Sequence, residues 1–161
     1  MCGFKFLLNK NNYSGGFMKV WLSAELSYEV LTEEQTSWES KARNAVEDTL
    51  NAKLQDKSYD IPLSIWKCII IMMGEDTFDE RIYYSPKRKN MDFRLRIDPT
   101  TFKATDDLGR EILIFKMLLR SLDLLKVKFE KVRPKLNSKV FEDLEKLKDD
   151  VSNIGKEKSW S

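Results

Sequence analysis

Apolar residues recur along the chain with two periods, and these periods predict where strands and helices lie. Partial alternation over Met18–Leu26 predicts a first strand, and Ser64–Met73 predicts a second. The continuous apolar end of the second strand indicates a central position in the sheet, or cover on both faces. Between them, Thr32 with Gln35 at capping-box spacing predicts the start of a helix that runs to about Leu54.

Two further strands are predicted as an antiparallel hairpin, Arg81–Tyr84 and Met91–Asp98, joined by a basic turn. In the second of these strands, apolar and charged residues alternate. The apolar positions are Phe93, Leu95 and Ile97, and the charged positions are Asp92, Arg94, Arg96 and Asp98. Since successive side chains of a strand point to opposite faces, we expect one buried and one charged face.

The last third of the chain predicts two long helices. A nearly all-round apolar helix over Leu108–Val127 indicates burial on more than one side, with Asp98-Pro99 before it suited to a short helical turn. Pro134 then interrupts the chain, and a final amphipathic helix covers Ser138–Ile154. The predicted fold is α+β, with a mainly antiparallel sheet of about four strands packed with three principal helices.

The two ends of the chain lack these periods. Residues 1–17 are rich in Asn, Ser and Gly, which predicts a flexible N-terminal extension, with a short edge strand at Phe4–Leu8 as the alternative. Met18 is then either the natural start or the first ordered residue. We expect a single α+β domain over residues 18–154 and a frayed tail over residues 155–161.

The composition of the chain mainly excludes classes of partner and of cellular compartment. The net charge of +2 over 161 residues gives no overall field that would demand nucleic acid or an anionic membrane. Two cysteines, Cys2 and Cys68, form no disulfide framework, which favours a reducing compartment. No apolar run approaches the roughly 18 residues of a membrane span, and the first one is too short for a signal peptide. The expected location is the cytoplasm, with no membrane partner.

Motifs that would indicate a reaction are missing from the sequence. The chain has no histidine, which removes histidine-based catalytic triads and most zinc sites. It also has no glycine-rich loop followed by the residues that bind phosphate. We therefore expect neither a cofactor nor a metal, and an enzyme would have to use carboxylates, Lys, Arg, Tyr or Cys.

An acidic cluster follows the second predicted strand and is one candidate binding site. It consists of Glu75, Asp76, Asp79 and Glu80. The spacing is not that of a calcium loop, so metal binding is the least favoured of three interpretations. A solvated loop is favoured most, because charge runs usually face water, and contact with a protein partner comes second.

A basic cluster on the predicted hairpin is the other candidate site. Between Arg81 and Arg96 the chain has six basic residues against one acid. The favoured interpretation is a hairpin kept soluble by charge, followed by an acidic protein partner and then by nucleic acid. The residues proposed to contact a partner are Tyr84, Lys87, Arg88, Arg94 and Arg96.

One long string carries a family resemblance that no short piece of it would carry alone. The string is FRLRIDPTTFKATDDLGREILIFKMLLRSLDLL. Before it, in the expected order, come the opening MKVWLSAEL, the strand IWKCIIIMM and the hairpin YYSPKRKNMDFRLRID, whose end overlaps the start of the string. Over Met18–Leu125 the chain resembles immunity protein family 44 of bacterial polymorphic toxin systems. Ser23 and Glu25 occupy the Ser-x-Glu of that family's first strand.

The resemblance implies a small cytosolic protein, made beside a toxin, that binds the cognate toxin domain and blocks it by steric occlusion. It also implies that the chain is not an enzyme. The alternative is a nucleic-acid-binding accessory domain that uses the basic hairpin 81–96, and a carboxylate-dependent enzyme comes third. An immunity protein must capture its toxin quickly, and clustered surface charge accelerates such an encounter.

Overall fold

The structure is a computed structural model that describes residues 31–74 and 80–161, together with the backbone of residues 19–26. Within these residues, four strands and four α-helices follow one another along the chain. They are β1 (Lys19–Leu26), α1 (Glu33–Leu54), β2 (Ile65–Met72), β3 (Arg81–Ser85), β4 (Asn90–Ile97), α2 (Pro99–Ala104), α3 (Asp107–Lys131) and α4 (Ser138–Glu157). The extension predicted over residues 1–17, and its alternative strand Phe4–Leu8, lie outside the described residues.

The four described strands form one mixed sheet in the order β1-β2-β4-β3. β1 pairs with β2 and β2 pairs with β4 in parallel, and only β3 and β4 are antiparallel. The α+β class is confirmed, but the prediction of a mainly antiparallel sheet is wrong. The physical reason is that α1 returns the chain between β1 and β2, so these strands run in the same direction. The chain reverses direction between β2 and β3 and again at the turn between β3 and β4. β4 therefore runs in the same direction as β2, with which it pairs.

One face of this sheet is covered by helices. Its buried side chains are Trp66, Cys68, Ile70 and Met72 from β2, and Met91, Phe93, Leu95 and Ile97 from β4. The indole Nε1 of Trp66 donates a hydrogen bond of 2.8 Å to Ser121 Oγ, which places α3 against this face. The predicted buried face of β4 is therefore confirmed.

The opposite side of the sheet is called here the outer face. In β4 it carries Asp92, Arg94 and Arg96, as the alternation predicted, and in β3 it carries Arg81 and Tyr83. β2 adds Lys67, Ile69 and Ile71, which stand beside the β4 residues in the parallel register. Charge is thus concentrated on the side of the sheet opposite α3, where Ile71 is nevertheless only 6% exposed.

The three long helices α1, α3 and α4 are the three principal helices that the apolar periods predicted. The capping box at the start of α1 is confirmed, because Thr32 Oγ1 accepts the Gln35 N–H and Gln35 Oε1 accepts the Thr32 N–H. Pro99 is the first residue of α2, with Asp98 as its N-cap. Among the described helices, none is long and apolar enough to cross a bilayer.

The tail that was expected to fray is packed against the helical layer instead. α4 continues to Glu157, and the side chain of Trp160 is 1% exposed. Its ring lies 5.2 Å from that of Phe115, and its Nε1 donates to Glu111 Oε1 at 2.9 Å. Gly155, at which the frayed tail was expected to begin, lies inside α4, where a Cβ would collide with the Phe115 ring.

Candidate partner-binding surface

The turn between β3 and β4 is anchored by its backbone, while its basic side chains stay exposed. The carbonyl of Lys89 accepts the N–H groups of Ser64 and Ile65, at 2.6 and 3.4 Å, at the start of β2. Lys89 adopts a positive φ of 55°, a conformation that is uncommon for a residue with a side chain. The side chains of Lys87 and Arg88 are exposed at this fixed turn, where the sequence predicted a contact surface.

Of the two neighbouring tyrosines in β3, Tyr84 anchors the hairpin and Tyr83 faces outward. The hydroxyl of Tyr84 donates to the Pro62 carbonyl at 2.7 Å, and its ring meets the edge of Phe129 at 5.9 Å. Burial raises the pKa of the Tyr84 hydroxyl above its ordinary value. Tyr83 is 51% exposed on the outer face, although it was not among the predicted contact residues. Alternation from Ile82 would have identified it.

The two arginines predicted to contact a partner both lie on the outer face, in β4. Arg96 is held internally, because its Nε donates to the Met73 carbonyl at 2.9 Å and its guanidinium lies 3.7 Å from Asp98. The hydrogen bond from the Thr101 hydroxyl, with Arg96 contributing, lowers the pKa of Asp98. Arg94 is half-buried in the middle of the strand. Arg96 therefore orders the end of β4, in addition to any role at a surface.

The acidic candidate site is described only in part. Glu75, Asp76 and Asp79 lie outside the described residues, and Glu80 immediately precedes β3. Glu80 Oε2 accepts hydrogen bonds from Arg120 of α3, at 3.3 Å from Nε and 3.1 Å from Nη2. This ion pair connects the start of the hairpin to the helical layer. No cluster of three acidic or thiol side chains in the described part of the chain is arranged to hold a metal.

A depression of about 430 Å³ opens beside β3 and is called here the edge depression. Its lining consists of Ile82, Tyr83, Tyr84, Ser85, Arg88, Asn90, Asp92 and Lys128. The first four come from β3, and Lys128 reaches it from α3. Lys128 was not predicted, because it follows Arg88 by 40 positions and only the packing of α3 brings it there. The depression thus joins the basic turn to the exposed tyrosine.

The edge depression is positively charged on balance. Arg88 and Lys128 line it, Lys87 stands next to Arg88, and Asp92 is the acidic residue in its lining. Within the described residues, none of these three basic side chains forms an ion pair. Their charge is therefore available to a partner that approaches β3.

Comparison with known proteins gives one match. No curated protein and no solved structure matches the chain. The profile of the family described as immunity protein 44 matches residues 18–157, from the first described strand to the last residue of α4. The profile match includes α4, whereas the resemblance seen in the sequence ended at Leu125. The chain therefore belongs to the immunity protein 44 family.

Proposed function

We propose that this protein neutralises the cognate toxin of a bacterial polymorphic toxin system by binding the toxin domain and blocking it sterically. It acts in the cytoplasm of the producing cell and performs no catalysis of its own. Membership of the immunity protein 44 family is the observation that carries this proposal. The mixed surface at the hairpin, where an exposed tyrosine adjoins basic side chains without internal ion pairs, supports it.

The surface has the residue types that dominate tight protein interfaces. Tyrosine and arginine are enriched among the residues whose truncation weakens binding most, and Tyr83 and Arg88 stand together at the edge depression. Arg94 and Arg96 extend the surface along β4, and Lys87 extends it around the turn. The acidic cluster of Glu75, Asp76, Asp79 and Glu80 remains the second candidate surface, and Glu80 immediately precedes β3.

The hairpin is well suited to occlusion because it is rigid before the partner arrives. The Lys89 carbonyl ties the turn to β2, and Tyr84 ties β3 to the Pro62 carbonyl and to α3. A preorganised surface loses little conformational entropy on binding, which leaves more of the contact energy for affinity. An inhibitor that must outcompete a toxin's substrate gains directly from this rigidity.

The test is co-expression of the full chain with the product of the toxin gene that neighbours its own gene. We expect growth to be rescued, the two proteins to co-purify, and purified chain to abolish the toxin's activity at an equimolar ratio. Stoichiometric inhibition distinguishes occlusion from enzymatic destruction of the toxin, which would need only catalytic amounts. A pair that neither associates nor restores growth contradicts the proposal.

A second candidate function is binding of single-stranded nucleic acid at the same hairpin. The observation that favours it is the exposed Tyr83 beside Lys87 and Arg88, since aromatic rings and basic side chains together bind single strands. It predicts salt-sensitive binding of a labelled 12-nucleotide single-stranded DNA, lost when Lys87, Arg88 and Lys89 are changed to Ala. Salt-independent or absent binding removes this candidate.

A further inference from the structure

We propose that the edge depression receives an extended acidic segment of the toxin, which adds to the sheet as a strand beside β3. This inference rests on the proposed function and specifies which part of the toxin the surface takes. It joins three observations: the position of β3 in the sheet, the composition of that strand, and the basic side chains around it.

Among the described strands, β3 lies at one end of the sheet. β3 pairs with β4, and no other described strand lies beside it. In an antiparallel pair, alternate residues of an edge strand direct their N–H and C=O groups away from the partner strand. An extended peptide that pairs with such an edge satisfies these groups by main-chain hydrogen bonds.

The composition of β3 protects this edge only at its first residue, Arg81. Sheets usually block edge pairing with charged side chains, with Pro, with bulges, or with very short edge strands. The segment Ile82–Ser85 contains none of these residue types, and Pro86 follows only after the strand has ended. The five residues of β3 provide about 17 Å of pairing length, enough for a short strand of the partner.

The charge around the depression selects an acidic partner segment. Arg88 stands at the turn end of the depression and Lys128 on its helical side, and neither forms an ion pair within the described residues. The side chains of an added strand alternate between the outer face and the helical side of the sheet. Carboxylates on that strand can therefore meet Arg88 and Lys128, whereas a basic or apolar strand would leave both cations opposed or desolvated.

The experiment measures binding of the full chain to the product of the neighbouring toxin gene. The variant R88E/K128E should bind about 100-fold more weakly, because each substitution places a like charge opposite an acidic strand. The control K116E/K156E makes the same change in net charge at exposed lysines of α3 and α4. Lys116 lies about 18 Å along α3 from Lys128. The control should bind within about threefold of the unmodified chain. Circular dichroism and thermal unfolding verify that both variants are folded.

Amide hydrogen exchange supplies a second readout that does not depend on a variant. In the complex, the amides of Ile82–Ser85 that face away from β4 should exchange at least about tenfold more slowly than in the free chain. Unchanged amide exchange in β3, or a folded R88E/K128E variant that binds the toxin normally, contradicts the proposal that a toxin strand pairs with β3. Neither result contradicts the proposal that the protein neutralises the toxin. Absence of any complex with the unmodified chain overturns both proposals. Binding of the single-stranded DNA in place of the toxin assigns the basic residues to nucleic acid and overturns the inference.

Discussion

Charged side chains between the helices and around the edge depression are of the same types, yet they have different neighbours. Four lysines of the helices are paired with acids of another helix: Lys41–Asp107 at 3.1 Å, Lys53–Glu157 at 3.2 Å, Lys126–Glu145 at 2.8 Å and Lys148–Asp123 at 2.6 Å. At the edge depression, Lys87, Arg88 and Lys128 have no ion-pair partner within the described residues. The four inter-helix ion pairs connect elements of the fold, and the three basic side chains at the edge depression remain available to another molecule.

This difference affects how strongly a basic side chain attracts a partner more than it affects the stability of the fold. An exposed ion pair contributes about 0–1 kcal/mol to the free energy of unfolding, so pairing or not pairing a surface lysine hardly changes the fold. What changes is the field outside the protein, because a lysine next to a carboxylate attracts a distant anion only weakly. Unpaired basic groups keep that attraction and accelerate the capture of an acidic partner.

Among the substitutions considered, Trp160→Ala in the helical layer is expected to lower the free energy of unfolding most. Removing a buried indole that packs on Phe115 should lower the free energy of unfolding by about 3–5 kcal/mol. Urea denaturation measures this loss, and the exposed neighbour Lys158, changed to Ala, is the control. Toxin affinity of the folded variant should not change. A loss below about 1 kcal/mol would contradict the observed packing of the tail.

Asp143→Asn is expected to have the next largest effect. Burial alone would raise the pKa of Asp143, but the Asp60 N–H at 2.6 Å and Lys139 at 3.1 Å outweigh it and lower that pKa. A carboxyl whose pKa is lower in the folded chain stabilises it above its ordinary pKa, and this contribution disappears as the pH falls through the folded value. The variant should lose about 1–3 kcal/mol at pH 7.

The pH dependence provides the check on this prediction. Below about pH 4 the unfolded carboxyl is protonated, and the difference between the variant and the unmodified chain should shrink as the pH falls further. Unfolding free energies at pH 7 and pH 2.5 measure it. A difference of the same size at both values would show that the amide disturbs packing and that the charge is unimportant.

The smallest effect on stability, and the sharpest test of the comparison, comes from two lysines of α3. Lys126 pairs with Glu145, and Lys128 lines the edge depression. Changing either to Ala should alter the free energy of unfolding by no more than about 1 kcal/mol. Only Lys128→Ala should weaken toxin binding, by about tenfold, as measured by calorimetric titration. Equal effects of the two substitutions on affinity would remove the distinction between paired and available charge.

The sequence predicted the elements better than their arrangement. The spacing of apolar residues identified the long helices, and the spacing of Thr32 and Gln35 identified the start of α1, because both signals lie within a few neighbouring residues. The direction of strand pairing was wrong, since alternation in β4 is the same whether its neighbour runs parallel or antiparallel. The continuous apolar run in Ser64–Met73 did indicate a central strand, and β2 does lie between β1 and β4.

The candidate surface was predictable only as far as it is local. Lys87 and Arg88 are exposed at the turn, as expected from their position between two strands. Tyr84 was chosen over Tyr83, although the alternation that starts from Ile82 assigns Tyr83 to the outer face. Lys128 required the tertiary packing of α3. Gly155 illustrates the same limit, because a glycine at a close contact and a glycine at a helix end look identical in a sequence.

The way in which the hairpin turn is anchored has a consequence for how such proteins diverge. The tie to β2 runs through the Lys89 carbonyl, a group that every amino acid supplies, so the side chains of residues 86–88 are not needed to hold the turn. Only position 89, with its positive φ, restricts the choice, toward Gly or Asn. Substitutions at residues 86–88 can therefore change the chemistry of the turn while its backbone anchor to β2 stays the same.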